Sequence, residues 1–194
     1  ASLLNLSKGK YRVVTGSVIA AGGDYSDTVT INVGSADGIT ANETVLNGAG
    51  LVGITVSATP TTATVQLATD AGATVGVRTV SAAKPAGKKA TAGAAASTGS
   101  AASGGQLGAL TGSAGSLSGS APLKLTLFNA NAKLQAGQTL VTFGSVGGRP
   151  YVPGVPVGTV TTVTTQPGSL SPTALVTPFA DFTGLGVVGV VISK

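Results

Sequence analysis

The sequence predicts an all-β chain built as two tandem, related, small six-stranded β-barrels. Three observations carry that expectation. Val, Thr and Ile dominate, while strong helix formers are scarce: Glu43 is the one Glu and Met is absent. Short alternations of apolar and polar residues recur, bounded by Gly, Pro, Asn and Asp. Four short segments of the first half return in the second half in the same order.

Along the chain, residues 1–10 hold Leu3, Leu4 and Leu6, which read equally as the last turn of a helix or as a frayed terminus. The first strand candidate is 12–20. In 27–33, Val29, Ile31 and Val33 point one way and Thr28, Thr30 and Asn32 the other. Candidates follow at 51–57, 62–68 and 74–80. Residues 81–105 contain no aliphatic side chain larger than Ala and read as a flexible insert, because so little apolar surface cannot offset ordering entropy. A second small-residue patch lies at 113–120. In 123–128, Leu123, Leu125 and Leu127 form one face with Lys124 and Thr126 opposite. The last candidates are 138–143, 157–165, 173–177 and 186–192.

The repeat pairs ITANETV at 39–45 with LQAGQTL at 134–140. It pairs Val52-Gly53 with Val157-Gly158, TATVQLATD at 62–70 with TALVTPFAD at 173–181, and Val75-Gly76-Val77 with Val188-Gly189-Val190. Expected units are 11–80 and 106–194, and the repeat leaves open whether they trade terminal strands. A flat sheet of five or six short strands leaves open edges, so each unit closes into a barrel. A Gly inside a strand, as in the two Val-Gly pairs, marks a bulge or a close backbone approach. Two such barrels side by side form the arrangement of chymotrypsin-like proteases, here without catalytic residues.

Composition excludes several chemistries. The chain has no His and no Cys, which removes imidazole bases, thiol nucleophiles, disulfides and the usual zinc, haem and iron–sulfur ligands. No cofactor and no metal are expected. Asp24, Asp27 and Asp37 read as turn formers, and Asp70 and Asp181 occupy equivalent repeat positions. Ser145, in Gly144-Ser145-Val146-Gly147-Gly148, has no base to activate it. The net charge is +5, with Lys84, Lys88 and Lys89 in the small-residue tract and Lys8, Lys10 and Arg12 near the start. With three Tyr, four Phe and no basic stripe, no nucleic-acid partner is expected. The longest strongly apolar run, 185–192, is far short of the roughly 20 residues a membrane helix needs. Residues 143–157 (FGSVGGRPYVPGVPV) place Phe143, Arg149, Tyr151 and Val152 among prolines and glycines. Tyr and Arg anchor interfaces, which makes these four candidate partner-binding residues; the alternative is a loop capping the barrel's own core.

The ordered set of motifs resembles the MreC family of bacterial rod shape-determining proteins. It comprises Val18-Ile19-Ala20, TVTINVGS at 28–35 with Asp37-Gly38-Ile39, Gly50-Leu51-Val52-Gly53 and TVQLATD at 64–70, then AGQTLVT at 136–142 and PGVPVGTV at 153–160. Gln138 stands where the family commonly has Asp, and the 81–105 insert departs from the family pattern. The resemblance implies a non-catalytic scaffold of the cell-wall elongation complex, outside the membrane and anchored by an N-terminal span absent from this chain. It implies binding and activation of a penicillin-binding transpeptidase, contact with MreD and MreB-linked machinery, and self-association as a homodimer or filament. Leu3, Leu4 and Leu6 would then end a dimerising coiled coil. The competing expectation is an extracellular adhesin or glycan-binding β module.

Overall fold

The computed structural model describes residues 11–22, 27–80, 105–112, 122–129, 134–164, 173–182 and 184–193. Leu3, Leu4 and Leu6, most of the 81–105 tract, and Asp24 lie outside these residues. Among the described residues there are twelve strands: β1 (Tyr11–Ala21), β2 (Thr28–Ile31), β3 (Thr44–Leu46), β4 (Leu51–Ala58), β5 (Ala63–Leu67), β6 (Thr74–Val80), β7 (Leu107–Thr111), β8 (Leu123–Leu127), β9 (Thr139–Thr142), β10 (Pro156–Thr164), β11 (Thr173–Pro178) and β12 (Val187–Ser193). They close into two six-stranded antiparallel barrels, as the composition and repeat predict.

Period-two alternation fills each barrel. In the first, Val29 and Ile31 of β2 meet Ala63, Val65 and Leu67 of β5 and Val188 and Val190 of β12. In the second, Val75 and Val77 of β6 meet Leu110 of β7, Leu123, Leu125 and Leu127 of β8 and Leu140 of β9. Two strands escape sequence reading. β3 is three residues long and wholly buried, so it shows no alternation. β7 reads LGALT, too short and too poor in bulk to stand out beside the small-residue tract.

Around the first barrel the order is β1, β12, β3, β4, β5, β2; around the second it is β7, β6, β9, β10, β11, β8. The two orders correspond strand for strand, with the sixth strand of each repeat closing the other barrel. The linear units 11–80 and 106–194 therefore do not coincide with the barrels. β6 belongs to the second barrel, between β7 and β9, and β12 belongs to the first, between β1 and β3. Consequently the 81–105 tract joins two strands of one barrel, and the chain crosses between barrels at 68–73 and again at 179–186. Alternation tells a strand which faces to bury, but not which barrel to enter.

The repeat extends to irregularities. The β4–β5 ladder shifts register between Thr55 and Ser57, and the β10–β11 ladder shifts between Val160 and Thr162, at corresponding positions. Gly53 and Gly158 occupy corresponding sites just before. A Cβ on Gly53 would collide with the Gln66 carbonyl, and one on Gly158 with the Thr177 carbonyl. Both glycines permit the close backbone approach that their place inside a strand implies.

Candidate functional site

The 143–157 segment links β9 to β10, and Thr142 sets its course from below. The fully buried Thr142 hydroxyl donates to Val152 O at 2.6 Å and accepts from Val155 N at 2.9 Å. Thr142 N donates to Val155 O, Gly154 N donates to Thr142 O, and Ser145 N donates to Tyr151 O. Gly144 and Gly154 turn the chain at φ 90° and 85°, conformations that side chains resist. The Arg149–Pro150 peptide is cis.

The fold lays this segment against the first barrel. Thr44 on β3 donates its hydroxyl to Pro150 O at 2.8 Å and accepts from Val152 N at 2.9 Å. Beside it, Arg149 Nη2 donates to Glu43 Oε1 at 3.2 Å. The Glu43 side chain is fully buried, whereas that of Arg149 is 42% exposed. Thr40 also serves the carboxylate, donating N–H to Oε2 and its hydroxyl to Oε1. Two donors from Thr40 and one guanidinium thus hold a carboxylate that apolar surroundings alone would not tolerate. Gly50, on the β3–β4 turn, abuts the second barrel: a Cβ there would approach Pro156 O to 2.6 Å.

These contacts divide the four expected partner-binding residues. Tyr151 is 6% exposed and Val152 1%, and both sit in the core, where no partner reaches them. Burial pushes the Tyr151 hydroxyl up from 10.0 to about 12, so the ring stays neutral. Arg149 is engaged with Glu43. Phe143 alone stands free, 54% exposed, with its N–H donating to Gly76 O on β6. The segment is chiefly an inter-barrel clamp, because its backbone polar groups find partners on β3 that the linear repeat does not place nearby. Thr44 and Glu43 were not singled out from sequence: a Thr in a strand and a Glu before it carry no signal until the barrels are set side by side.

Replacing Thr44 by Val tests the clamp. It leaves Pro150 O and Val152 N without their bridging hydroxyl, for an expected loss of about 2–4 kcal/mol in a denaturant titration. An unchanged midpoint would show that the bridge carries no stability.

Elsewhere the acidic residues serve the chain path. Asp70 accepts from Asp27 N at 3.0 Å, Gln66 Nε2 at 2.9 Å and Gly72 N at 2.8 Å, fixing the crossing from β5 to β6. Asp37 accepts from Gly34 N, closing a turn as expected. Among the described residues no group of three or more acidic, His or Cys side chains is placed to hold a metal ion. No described helix is long and apolar enough to cross a membrane.

The family model described as rod shape-determining protein MreC, barrel core, matches residues 18–192. No curated protein matches the sequence. Among solved structures, MreC of Listeria monocytogenes is similar at TM-score 0.73 and 24% identity, over 99% of this chain and 84% of that one. The major periplasmic domain from the cell shape-determining filament MreC, in an orthorhombic crystal form, matches at TM-score 0.70 and 20% identity, over 95% and 97% of the two chains. The complex between penicillin-binding protein PBP2 and MreC from Helicobacter pylori matches at TM-score 0.57 and 13% identity, over 94% and 99%. At these identities the structural likeness concerns the double-barrel fold.

Proposed function

The chain belongs to the MreC family of rod shape-determining proteins, and from that membership we propose that it is a non-catalytic, extracytoplasmic scaffold that binds a penicillin-binding transpeptidase of the wall-elongation complex. The match of the barrel core over residues 18–192 carries the reading. The side-chain inventory supports it: without His or Cys the chain lacks imidazole bases and thiol nucleophiles, and Ser145 has no histidine to activate it. The extracytoplasmic placement draws on the relative described as a periplasmic domain, and the transpeptidase on the relative described in complex with PBP2. Action on the transpeptidase is by differential binding: a scaffold that fits one conformation better raises its population. Contacts with MreD and the MreB-linked machinery, membrane anchoring through an N-terminal span, and self-association through Leu3, Leu4 and Leu6 belong to the same proposal.

Depleting the parent protein in its host is expected to turn rods into rounded cells, restored by a copy carrying these barrels. Cells that remain rods on depletion would overturn the scaffold reading.

A further inference from the structure

The outer face of the second barrel carries an arginine whose Nε finds no acceptor in the described chain. Arg78 on β6 lies in register with Leu107 on β7 and Val141 on β9. Phe128 follows Leu107 across the sheet, its N–H donating to Leu107 O at 3.1 Å. Directly opposed residues of an antiparallel sheet stand about 4.5–5.5 Å apart at Cβ, so these four side chains form one continuous row. In the next row Phe143 stands opposite Gly76, where a Cβ would meet nothing, and Gly76 pairs with Ala109. A shallow trough floored by small residues therefore runs beside the row. Phe128 is 70% exposed, Phe143 54% and Leu107 40%. The barrel has no need of them, because the alternate residues Val75, Val77, Leu110 and Leu127 already fill its interior.

Arg78 Nε is buried and meets no acceptor. Glu43 is taken by Arg149. Asp37 holds Gly34, and Asp70 accepts from Asp27 N at the crossing between barrels. A guanidinium N–H left without an acceptor is costly, and an acceptor brought by a partner that shifts this half-buried side chain relieves that cost.

We infer that this face docks a polypeptide segment of the transpeptidase partner, with apolar side chains on Leu107, Phe128 and Phe143 and a carboxylate on Arg78; the inference rests on the scaffold reading above. A carboxylate matches the planar guanidinium in two parallel hydrogen bonds and suits a chain of net charge +5. The three apolar side chains select a polypeptide over an anionic wall polymer, whose phosphates offer them nothing. Both barrels are closed, so a partner cannot add a strand at an edge and must bind through side chains. Arg and aromatic residues side by side are the usual anchors of such interfaces.

The test measures binding of the purified chain to the ectodomain of its host's penicillin-binding transpeptidase. Arg78→Met keeps an unbranched apolar stem and removes the donors; Phe128→Ser removes the aromatic anchor. Both positions point outward, so both variants are expected to melt with the wild type, and Arg78→Met slightly above it, since it deletes an unsatisfied buried group. Each is expected to weaken binding at least about tenfold, and added salt to weaken the wild type more than Arg78→Met. Wild-type binding unchanged in both variants overturns the site and leaves the scaffold reading standing. Absence of wild-type binding overturns the scaffold reading and this site with it. Loss in the variants of self-association alone, seen by sedimentation, or of binding to teichoic acid alone, reassigns the face to a second copy or to a wall polymer and overturns the inference.

Discussion

A chain ending at residue 186 is expected to lose its first barrel and keep its second. β12 occupies the gap between β1 and β3, pairing Tyr11 to Ser17 on one side and Thr44 to Leu46 on the other. Its removal opens the barrel, strands two rows of backbone donors and acceptors, and withdraws the buried Val188, Val190 and Val191. Burial of three such side chains is worth about 5–9 kcal/mol, comparable with the whole stability of a typical domain, about 5–15 kcal/mol. The second barrel retains all its strands, since β6 to β11 are contiguous in sequence. Amide exchange followed by NMR checks this: protection should vanish across β1–β5 and persist in β6–β11. Continued protection of β2 and β5 in the shortened chain would show that β12 does not close the first barrel.

A charge placed inside either barrel has a comparable effect. Val52 and Val157 are 0% and 1% exposed and stand at corresponding positions of β4 and β10. Val52→Asp or Val157→Asp puts a carboxylate where neither water nor a cation reaches it, for an expected cost of about 4–5 kcal/mol or more. Each substitution is expected to abolish cooperative melting of its own barrel. Val56, on β4 but 43% exposed, supplies the comparison: Val56→Asp should cost about 1 kcal/mol or less, mainly through strand propensity. Equal losses at Val52 and Val56 would contradict the inward and outward assignment along β4.

The strands that sequence reveals are those long enough to show their period. Val29 and Ile31, or Leu123, Leu125 and Leu127, announce both a strand and its buried face, because a pleated backbone turns alternate side chains the same way. β3 and β7 escape because three buried residues, or five with Gly and Ala among them, contain too few alternations to register. The segment around Tyr151 was legible as special but not as to purpose. Its aromatic and basic residues suit a partner surface and an internal clamp equally, and only the neighbouring Thr44 and Glu43 decide between them. Arg78 illustrates the converse. In sequence it is one basic residue in an alternating strand; its lack of an acceptor, and its row with Leu107 and Phe128, exist only once four strands are in register.

From its residues alone the protein was determined to be a duplicated all-β chain without His or Cys, because composition and alternation are local properties that need no knowledge of distant neighbours. The tertiary structure decided that each repeat lends its sixth strand to the other barrel, and that Tyr151 and Val152 face inward while Phe143 faces out. Those outcomes depend on pairings between residues about a hundred positions apart, as between β3 and the 149–152 segment. No local pattern encodes which of several equally apolar surfaces two such segments will share.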